Sequence, residues 1–299
     1  MEERFRYDCS GHWFKGNVHM HTTRSDGQLS TVEAGAFYAN AGYDFICITD
    51  HMVPFVGAEA NDQWPLLVLD GIELHGEDEH GSFYHVVAIG NVGGVGPDTE
   101  FAEGLERVRA QGSFLIWAHP HWSDNTVAEG LRYGFHGIEV YNCSSQLAWG
   151  KGMGAFHWDA VLKERPDMLG VAADDSHFFK AAPFETGGWI MVNATELSAE
   201  AIIASIRRGN FYSSSGPLFK SIAIEKRNRV VIETSPIVHA RLLGPRDKGK
   251  YKGAVNGEPL TDTHFRIPDE WAFARLEIED AEGKVAWSNP LLMGESPHP

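Results

Sequence analysis

Gly16-Asn17-Val18-His19-Met20-His21-Thr22-Thr23-Arg24-Ser25-Asp26-Gly27 is the stretch on which the reading of this chain turns. A short run with strand character leads into two histidines one residue apart. A turn-forming loop carrying an acid follows. Side chains of an extended segment alternate with period two, so His19 and His21 project to one side and can reach one cation. One HxH is a weak signal; its weight comes from what recurs downstream.

Eight runs read as strands: 16–21, 45–49, 66–69, 85–89, 114–118, 137–141, 169–173 and 189–192. They are near-continuously apolar, as strands buried on both faces should be. The second delivers Asp50-His51 and the third leads into Glu73. The fifth gives His119-Pro120-His121, the sixth contains Glu139, and the seventh gives Asp174-Asp175-Ser176-His177. His85 departs from the pattern, because it begins its run instead of ending it. Between the runs lie helical patterns. Ser30-Thr31-Val32-Glu33 resembles a capping box opening a helix that Gly42 closes, and Asp98 is placed to cap a helix through Arg109. A short helix over 157–164 stops at Pro166, and Ser198 caps one running to Arg208, with Gly209 beyond. Alternating strands and helices predict a parallel sheet closed into a barrel, whose strand ends share one rim.

The pattern changes after Ser213-Ser214-Ser215-Gly216-Pro217. Short strands follow over 221–225, 230–233, 239–243, 264–267, 274–278 and 284–287, with no amphipathic helix. The expected organisation is a metallohydrolase barrel over 1–216 and a small all-β, sandwich-like domain over 217–299. Every candidate ligand precedes the boundary, so 1–216 is expected to fold and bind metal by itself.

Charge narrows the partners. Lys plus Arg is 25 and Asp plus Glu is 41, a formal net charge of −16. That leaves no electrostatic footprint for a nucleic-acid polymer and suits no anionic membrane surface. Bound cations could still admit an anionic small molecule. Cys9, Cys47 and Cys143 match no CxxC or zinc-ribbon spacing. The first residues lack an apolar signal segment, and no apolar run approaches the roughly 20 residues of a membrane helix. The expectation is a soluble, cytoplasmic protein; its oligomeric state is not readable.

Of fifteen histidines, twelve precede residue 180. A lone His at a strand end is more often a hydrogen-bonded structural residue than a ligand. His12, His80, His136, His157, His239, His264 and His298 are read that way. Four strand-end clusters in one chain are a different matter. Imidazole and carboxylate without thiolate suit zinc, manganese or iron in a hydrolytic site.

Taken in order, His19-Met20-His21-Thr22 with Ser25-Asp26-Gly27, Ile48-Thr49-Asp50-His51, Gly71-Ile72-Glu73, Ala118-His119-Pro120 and Asp175-Ser176-His177 resemble the motifs of the PHP (polymerase and histidinol phosphatase) superfamily. The resemblance covers about residues 16–215. The segment from Arg208-Gly209 to Ser215-Gly216-Pro217, with Trp287-Ser288-Asn289-Pro290, is similar to the branch containing carbaryl-hydrolase-like metallohydrolases. The resemblance implies a distorted (β/α)7 barrel holding two or three divalent metals. His19, His21, Glu73 and Asp175 would hold the first. Glu73 would bridge to a second, completed by His85 and His119, with His75 and His80 as competitors for the place of His85. Asp26, His51 and His177 would hold the third; some members have His where this chain has Asp26. Asp174 would support the ligands from behind.

A water bridging two dications becomes a nucleophile near neutral pH, and the metals neutralise charge building on substrate oxygens. A phosphate ester suits this chemistry best. Arg24 and Lys180 are candidate phosphate clamps, and His121 a candidate proton donor to the leaving group. The expected function is a phosphoesterase acting on a small molecule. Its rivals are an ester, carbamate or amide hydrolase on the same metals, and a non-catalytic metal-bearing interaction module.

Overall fold

The computed structural model describes residues 4–57, 64–180 and 184–293. Its first strands are β1 (His12–Asn17), β2 (Phe45–Cys47), β3 (Leu67–Leu69), β4 (Gly71–Glu77), β5 (Phe83–Ile89), β6 (Phe114–Trp117), β7 (Gly137–Asn142), β8 (Leu169–Ala173), β9 (Trp189–Ala194) and β10 (Phe211–Ser214). They are followed by β11 (Phe219–Glu225), β12 (Arg229–Ile237), β13 (His239–Leu243), β14 (Gly249–Gly253), β15 (Leu260–Arg266), β16 (Arg275–Glu279) and β17 (Val285–Ser288). The helices are α1 (Thr31–Asn40), α2 (Phe101–Ala110), α3 (Val127–Arg132), α4 (Cys143–Trp149), α5 (Ala155–Val161) and α6 (Ala199–Arg208).

Local signals explain most helix ends. Ser30 caps α1 in a full capping box with Glu33, and Ser198 caps α6, which Gly209 closes at φ 75°. Each such cap contributes about 1 kcal/mol. Asp98 does not cap α2: Glu100 stands at the N-cap without a side-chain bond, and Thr99 Oγ1 instead accepts the N–H of Gly96. Helix α3 opens with a second capping box, Thr126 and Glu129. Neither α3 nor α4 was expected, because six or seven residues are too few to show helical periodicity.

The strands form a nine-stranded sheet in the order β14-β13-β16-β17-β10-β9-β1-β2-β3, a five-stranded sheet β4-β5-β6-β7-β8, and a three-stranded sheet β11-β12-β15. This is a mixed α/β architecture with large sheets. Among the described strands, only β1–β2, β2–β3, β6–β7 and β7–β8 pair in parallel, whereas β1–β9, β4–β5 and β5–β6 are antiparallel. The all-parallel expectation fails at β4–β5 for a simple reason. Residues 78–82 join them, and a parallel crossover needs about a dozen residues or more. The ladders do not close into a barrel among the described residues. Asp70 alone separates β3 from β4. On the far side, the Ser213 hydroxyl of β10 bridges to β8, accepting from Ala172 N and donating to Gly170 O. The reversal at β5 has a consequence for chemistry. A strand running the other way begins where its neighbours end, which brings His85 to the shared rim.

The expected boundary at 216/217 falls where β10 gives way to all-β structure, but the nine-stranded sheet runs across it. Strand β17 pairs with β10, Ser213 opposite Trp287. Trp287 is buried in the main apolar core and stacks on Tyr141 at 5.9 Å. Asn289 Oδ1 accepts from Gly170 N at 2.8 Å, and its Nδ2 donates to Phe211 O at 2.9 Å. Buried Arg275 grips Asp159 of α5 through two bonds of 2.9 and 3.0 Å. The sheet and core of 1–216 thus take in residues from beyond residue 216.

Several lone histidines prove structural. His136 Nδ1 accepts from Leu115 N, His157 Nε2 lies 3.0 Å from Asn125 O, and His239 Nδ1 lies 2.9 Å from Tyr251 Oη. His298 lies outside the described residues. The three cysteines are free thiols. No described helix is long and apolar enough to cross a membrane.

Candidate metal centre

Backbone pairing first lays the ligand-bearing segments side by side. Met20 bridges in parallel to Ser176, and His51 to Glu73. His21 N donates to Ser176 O and Asp175 N to His19 O. The loop 22–27 is tied down by Asp50, which accepts from Thr22 N, Thr22 Oγ1 and Ser25 Oγ at 2.7 Å each. Each of these bonds satisfies a polar group that burial would otherwise penalise.

All nine residues expected as metal ligands come together. Four sets have donor atoms within 4.8 Å of one another: His21, Asp26, His51 and His177; His19, His21 and Asp175; His19, Glu73 and His119; and His51, Glu73 and His85. His19 and His21 are fully buried, and the sets overlap through them, through His51 and through Glu73. Glu73 is the hub. Its Oε1 lies 2.8 Å from His85 Nδ1, 3.2 Å from His19 Nε2 and 3.3 Å from His119 Nε2; its Oε2 lies 3.0 Å from His51 Nδ1 and 3.2 Å from His21 Nε2. His21 Nε2 is 3.0 Å from Asp175 Oδ1, and His177 Nε2 is 3.4 Å from Asp26 Oδ2. The competitors for the place of His85 fall away. His75 belongs to none of the four sets, lying against His51, Nδ1 to Nδ1 at 3.1 Å, and stacking on His85 at 5.5 Å, and His80 is exposed beside Glu79.

Electrostatics match a site made for cations. Burial acts to lower the His19 pKa, yet Asp175, Glu73 and Glu139 hold it well above its ordinary value. Burial also opposes protonation of His21, but its bonds to Asp175 and Glu73 push it up to about 9. His119 is raised likewise against burial, mainly by Glu73. Burial would raise Glu73 and Asp175, but the surrounding imidazoles hold both well below the carboxylate range. His51 goes the other way, down to about 4, because burial outweighs Glu73 while His21 and His85 repel its charge. The carboxylates demand positive charge, from protons or from metal.

The residues behind the ligands complete the centre. Glu139 was noted on its strand without a role. Its Oε1 lies 2.7 Å from His19 Nδ1, and its Oε2 accepts from His119 N and Asn142 Nδ2, each at 2.8 Å. A carboxylate on the far nitrogen of an imidazole sets tautomer and ring orientation. The available signal was its place inside the strand run between the His119 and Asp175 clusters. Asp174 is buried, accepts from Tyr38 Oη and from the N–H groups of Thr186, Gly187 and Gly188 at 2.8 Å each, and so fixes the turn that carries Asp175. Burial raises its pKa to about 6, against the pull of those bonds. His119 and Asp175 themselves sit at positive φ, 24° and 53°. Such backbone costs on the order of 1–3 kcal/mol and persists only where the surroundings impose it. Here the bonds from His119 N to Glu139 and from Asp175 N to His19 O impose it.

Seven of the nine donors line a cavity of about 230 Å³, together with Trp122, Ser144, Ser145, Trp149 and Phe179. Arg24, His121 and Lys180 are not among the lining residues. Arg24 is exposed, donates to Pro54 O at 3.0 Å and lies 5.4 Å over the Phe55 ring. His121 is exposed near His157, and Lys180 is exposed at the end of the 174–180 segment. The aromatic residues were missed because a Trp or Phe in a loop carries no ligand signature.

No protein-family model and no curated protein matches the chain. Solved structures do. A two-domain protein of Bacteroides vulgatus containing a predicted PHP-like metal-dependent phosphoesterase aligns over 97% of this chain and 99% of its own, at 16% identity and a TM-score of 0.56. An amidohydrolase of Chromobacterium violaceum with bound sulfate and no metal covers 54% of this chain and 87% of its own, at 14% identity and a TM-score of 0.43. A Bifidobacterium adolescentis protein named for metal-dependent phosphoesterase activity covers 56% and 89%, at 15% identity and a TM-score of 0.42. The second and third likenesses are too loose to argue from. The first spans nearly the whole of both chains, and at its low identity it shows a shared fold.

Proposed function

We propose that this chain is a metal-dependent hydrolase of small-molecule phosphate esters. The observation that carries the reading is Glu73: one fully buried carboxylate with five imidazoles within 3.3 Å, on the wall of a cavity. The donor set fits divalent zinc, manganese or iron. Buried His21 Nδ1 has no hydrogen-bond partner among the described residues, as a ligand atom awaiting a cation would. His19, His21, Glu73 and Asp175 would hold one ion; Glu73, His85 and His119 a second; Asp26, His51 and His177 a third. When bound, the ions supply Lewis-acid stabilisation of phosphoryl oxygens and acidify water near neutral pH.

The chain's own residues do the rest. Glu139 holds His19 with Nε2 turned toward Glu73 and Asp175. Asp174 and Asp50 fix the two segments that carry Asp175 and Asp26. The aromatic walls restrict water around the reacting group. Arg24 and Lys180 as phosphate contacts, and His121 as proton donor, act from outside the cavity lining; Arg24 would first have to leave Pro54. We further assign the catalytic part to 1–216, with 217–299 as a β-rich part that braces it.

One observation favours the second reading, an ester, carbamate or amide hydrolase on the same metals. Among the described residues, no Lys or Arg lines the cavity. Metal analysis followed by a panel of phosphomonoesters, phosphodiesters, carboxylic esters and carbamates with Mn²⁺ and Zn²⁺ decides between them. Turnover of phosphate esters at least about a hundredfold above the others supports the proposal, about 3 kcal/mol of transition-state preference. Preference for neutral esters overturns it.

A further inference from the structure

Away from the metal donors, the cavity wall is aromatic. Trp122 meets the His119 ring at 5.1 Å and the His85 ring at 5.5 Å, both edge-on. Phe179 stacks on the His177 ring at 5.4 Å with the planes 12° apart. One aromatic ring thus leans on donors at each end of the centre, since His85 and His119 group with Glu73 while His177 groups with Asp26. Trp149 extends the surface beyond Trp122, 6.0 Å between ring centroids.

Two of these rings do little for the fold. Trp149 is 60% exposed and Phe179 39% exposed, and neither belongs to a buried cluster. An indole left in water at the mouth of a site is an unused stacking surface. The remaining lining residues are Ser144 and Ser145. A polyhydroxylated leaving group would find few polar partners on such walls, whereas a flat ring would find faces on which to stack.

We propose that Trp122, Trp149 and Phe179 bind a flat aromatic part of the substrate, an aryl group or a nucleobase, beside the phosphoryl group. This inference rests on the phosphoester reading. Stacking faces the ring of the leaving group and leaves the phosphoryl oxygens to the donor end of the cavity, so the two recognitions are separable.

The test uses the metal-loaded full chain with three probes: nitrophenyl phosphate, adenosine monophosphate and glycerol phosphate. Trp149→Ala and Phe179→Ala should each lower the ratio of aromatic to glycerol ester kcat/KM about tenfold, or about 1.4 kcal/mol, within the range of ring stacking on side chains. Trp149→Phe should recover most of it. Circular dichroism and metal content matching the wild type exclude misfolding. The aromatic probe whose ratio moves identifies aryl or nucleobase. Ratios unchanged in both alanine variants overturn the inference. If the wild type hydrolyses no phosphate, the phosphoester reading falls by itself, and stacking is read from calorimetric binding. Tighter binding of adenosine monophosphate than of glycerol phosphate, lost in Trp149→Ala, still supports it; equal binding refutes it.

Discussion

Metal binding to the chain should expel protons, and the structure says from where. His21 in the metal-free protein is raised from its ordinary 6.5 to about 9, and His19 is also held well above that ordinary value. A ligand imidazole must be deprotonated, so each cation entering between His19, His21 and Asp175 competes with two protons. At about pH 7, two units below the His21 pKa, displacing its proton opposes metal binding by about 3 kcal/mol. With His19 contributing as well, the metal association constant should rise about a hundredfold per pH unit near neutrality, and the His21 share of that slope should vanish above about 9. Titration of metal-free protein with Mn²⁺ or Zn²⁺ against chelators at several pH values gives the slope. Calorimetry in two buffers of different ionisation enthalpy counts the protons directly. The same linkage fixes a stability trend. Because the folded pKa of His21 is the raised one, the stabilisation it provides is fully present below 6.5 and disappears as pH climbs through 9. The melting temperature of the metal-free protein should therefore fall between those values, and that of the loaded protein should not. A slope below about half a proton per ion, or a metal-free protein that grows more stable over this range, would refute the assignment of His19 and His21 as charged, carboxylate-bound imidazoles.

Three further outcomes follow from the same contacts. Glu73→Gln should lose metal and activity together, with at most one ion retained after supplementation, because it removes the shared anion of two ligand sets; full metal content in a dead variant would reduce Glu73 to a catalytic role. Glu139→Gln should weaken metal affinity about 10- to 100-fold, with activity restored by excess metal, since it acts through His19, His119 and Asn142, whose Nδ2 also reaches Asp175; activity loss that excess metal cannot rescue would contradict that positioning role. Truncation after Gly216 should abolish the cooperative unfolding transition even with metal present. It strips β17 from one edge of β10 and empties the site of Trp287, at about 3–5 kcal/mol for such a large core side chain; a truncated chain that melts cooperatively would restore the two-unit division.

The ligand set was legible because its chemistry is carried by residue type and short spacing. His19-x-His21 and Asp175-x-His177 announce themselves on any extended segment, and strand-end placement at Asp50-His51 and His119 adds a direction. His85 was the odd member until β5 proved to run backwards. Asp174 was legible as a support for the ligands through the resemblance, whereas Glu139 was visible as a residue but not as a partner, because a hydrogen bond between positions 120 apart has no local signature. The same holds for Trp122, Trp149 and Phe179, which sequence alone leaves among many loop aromatics.

By itself the sequence determined the mixed α/β character, the helices that open on Ser30 and Ser198, the change of pattern near Gly216 and the nine His, Asp and Glu side chains that the structure brings together as candidate metal donors. These depend on capping, periodicity and donor chemistry, all of which act over a few residues. Only the tertiary structure decided that the strands do not close, that β17 completes the sheet begun by β1, β9 and β10, and that the cavity beside the donors is walled by aromatic rings and not by cations. Those outcomes depend on which distant segments pair and which rings meet. Burial and hydrogen bonding between segments select them, and no window of sequence contains both partners.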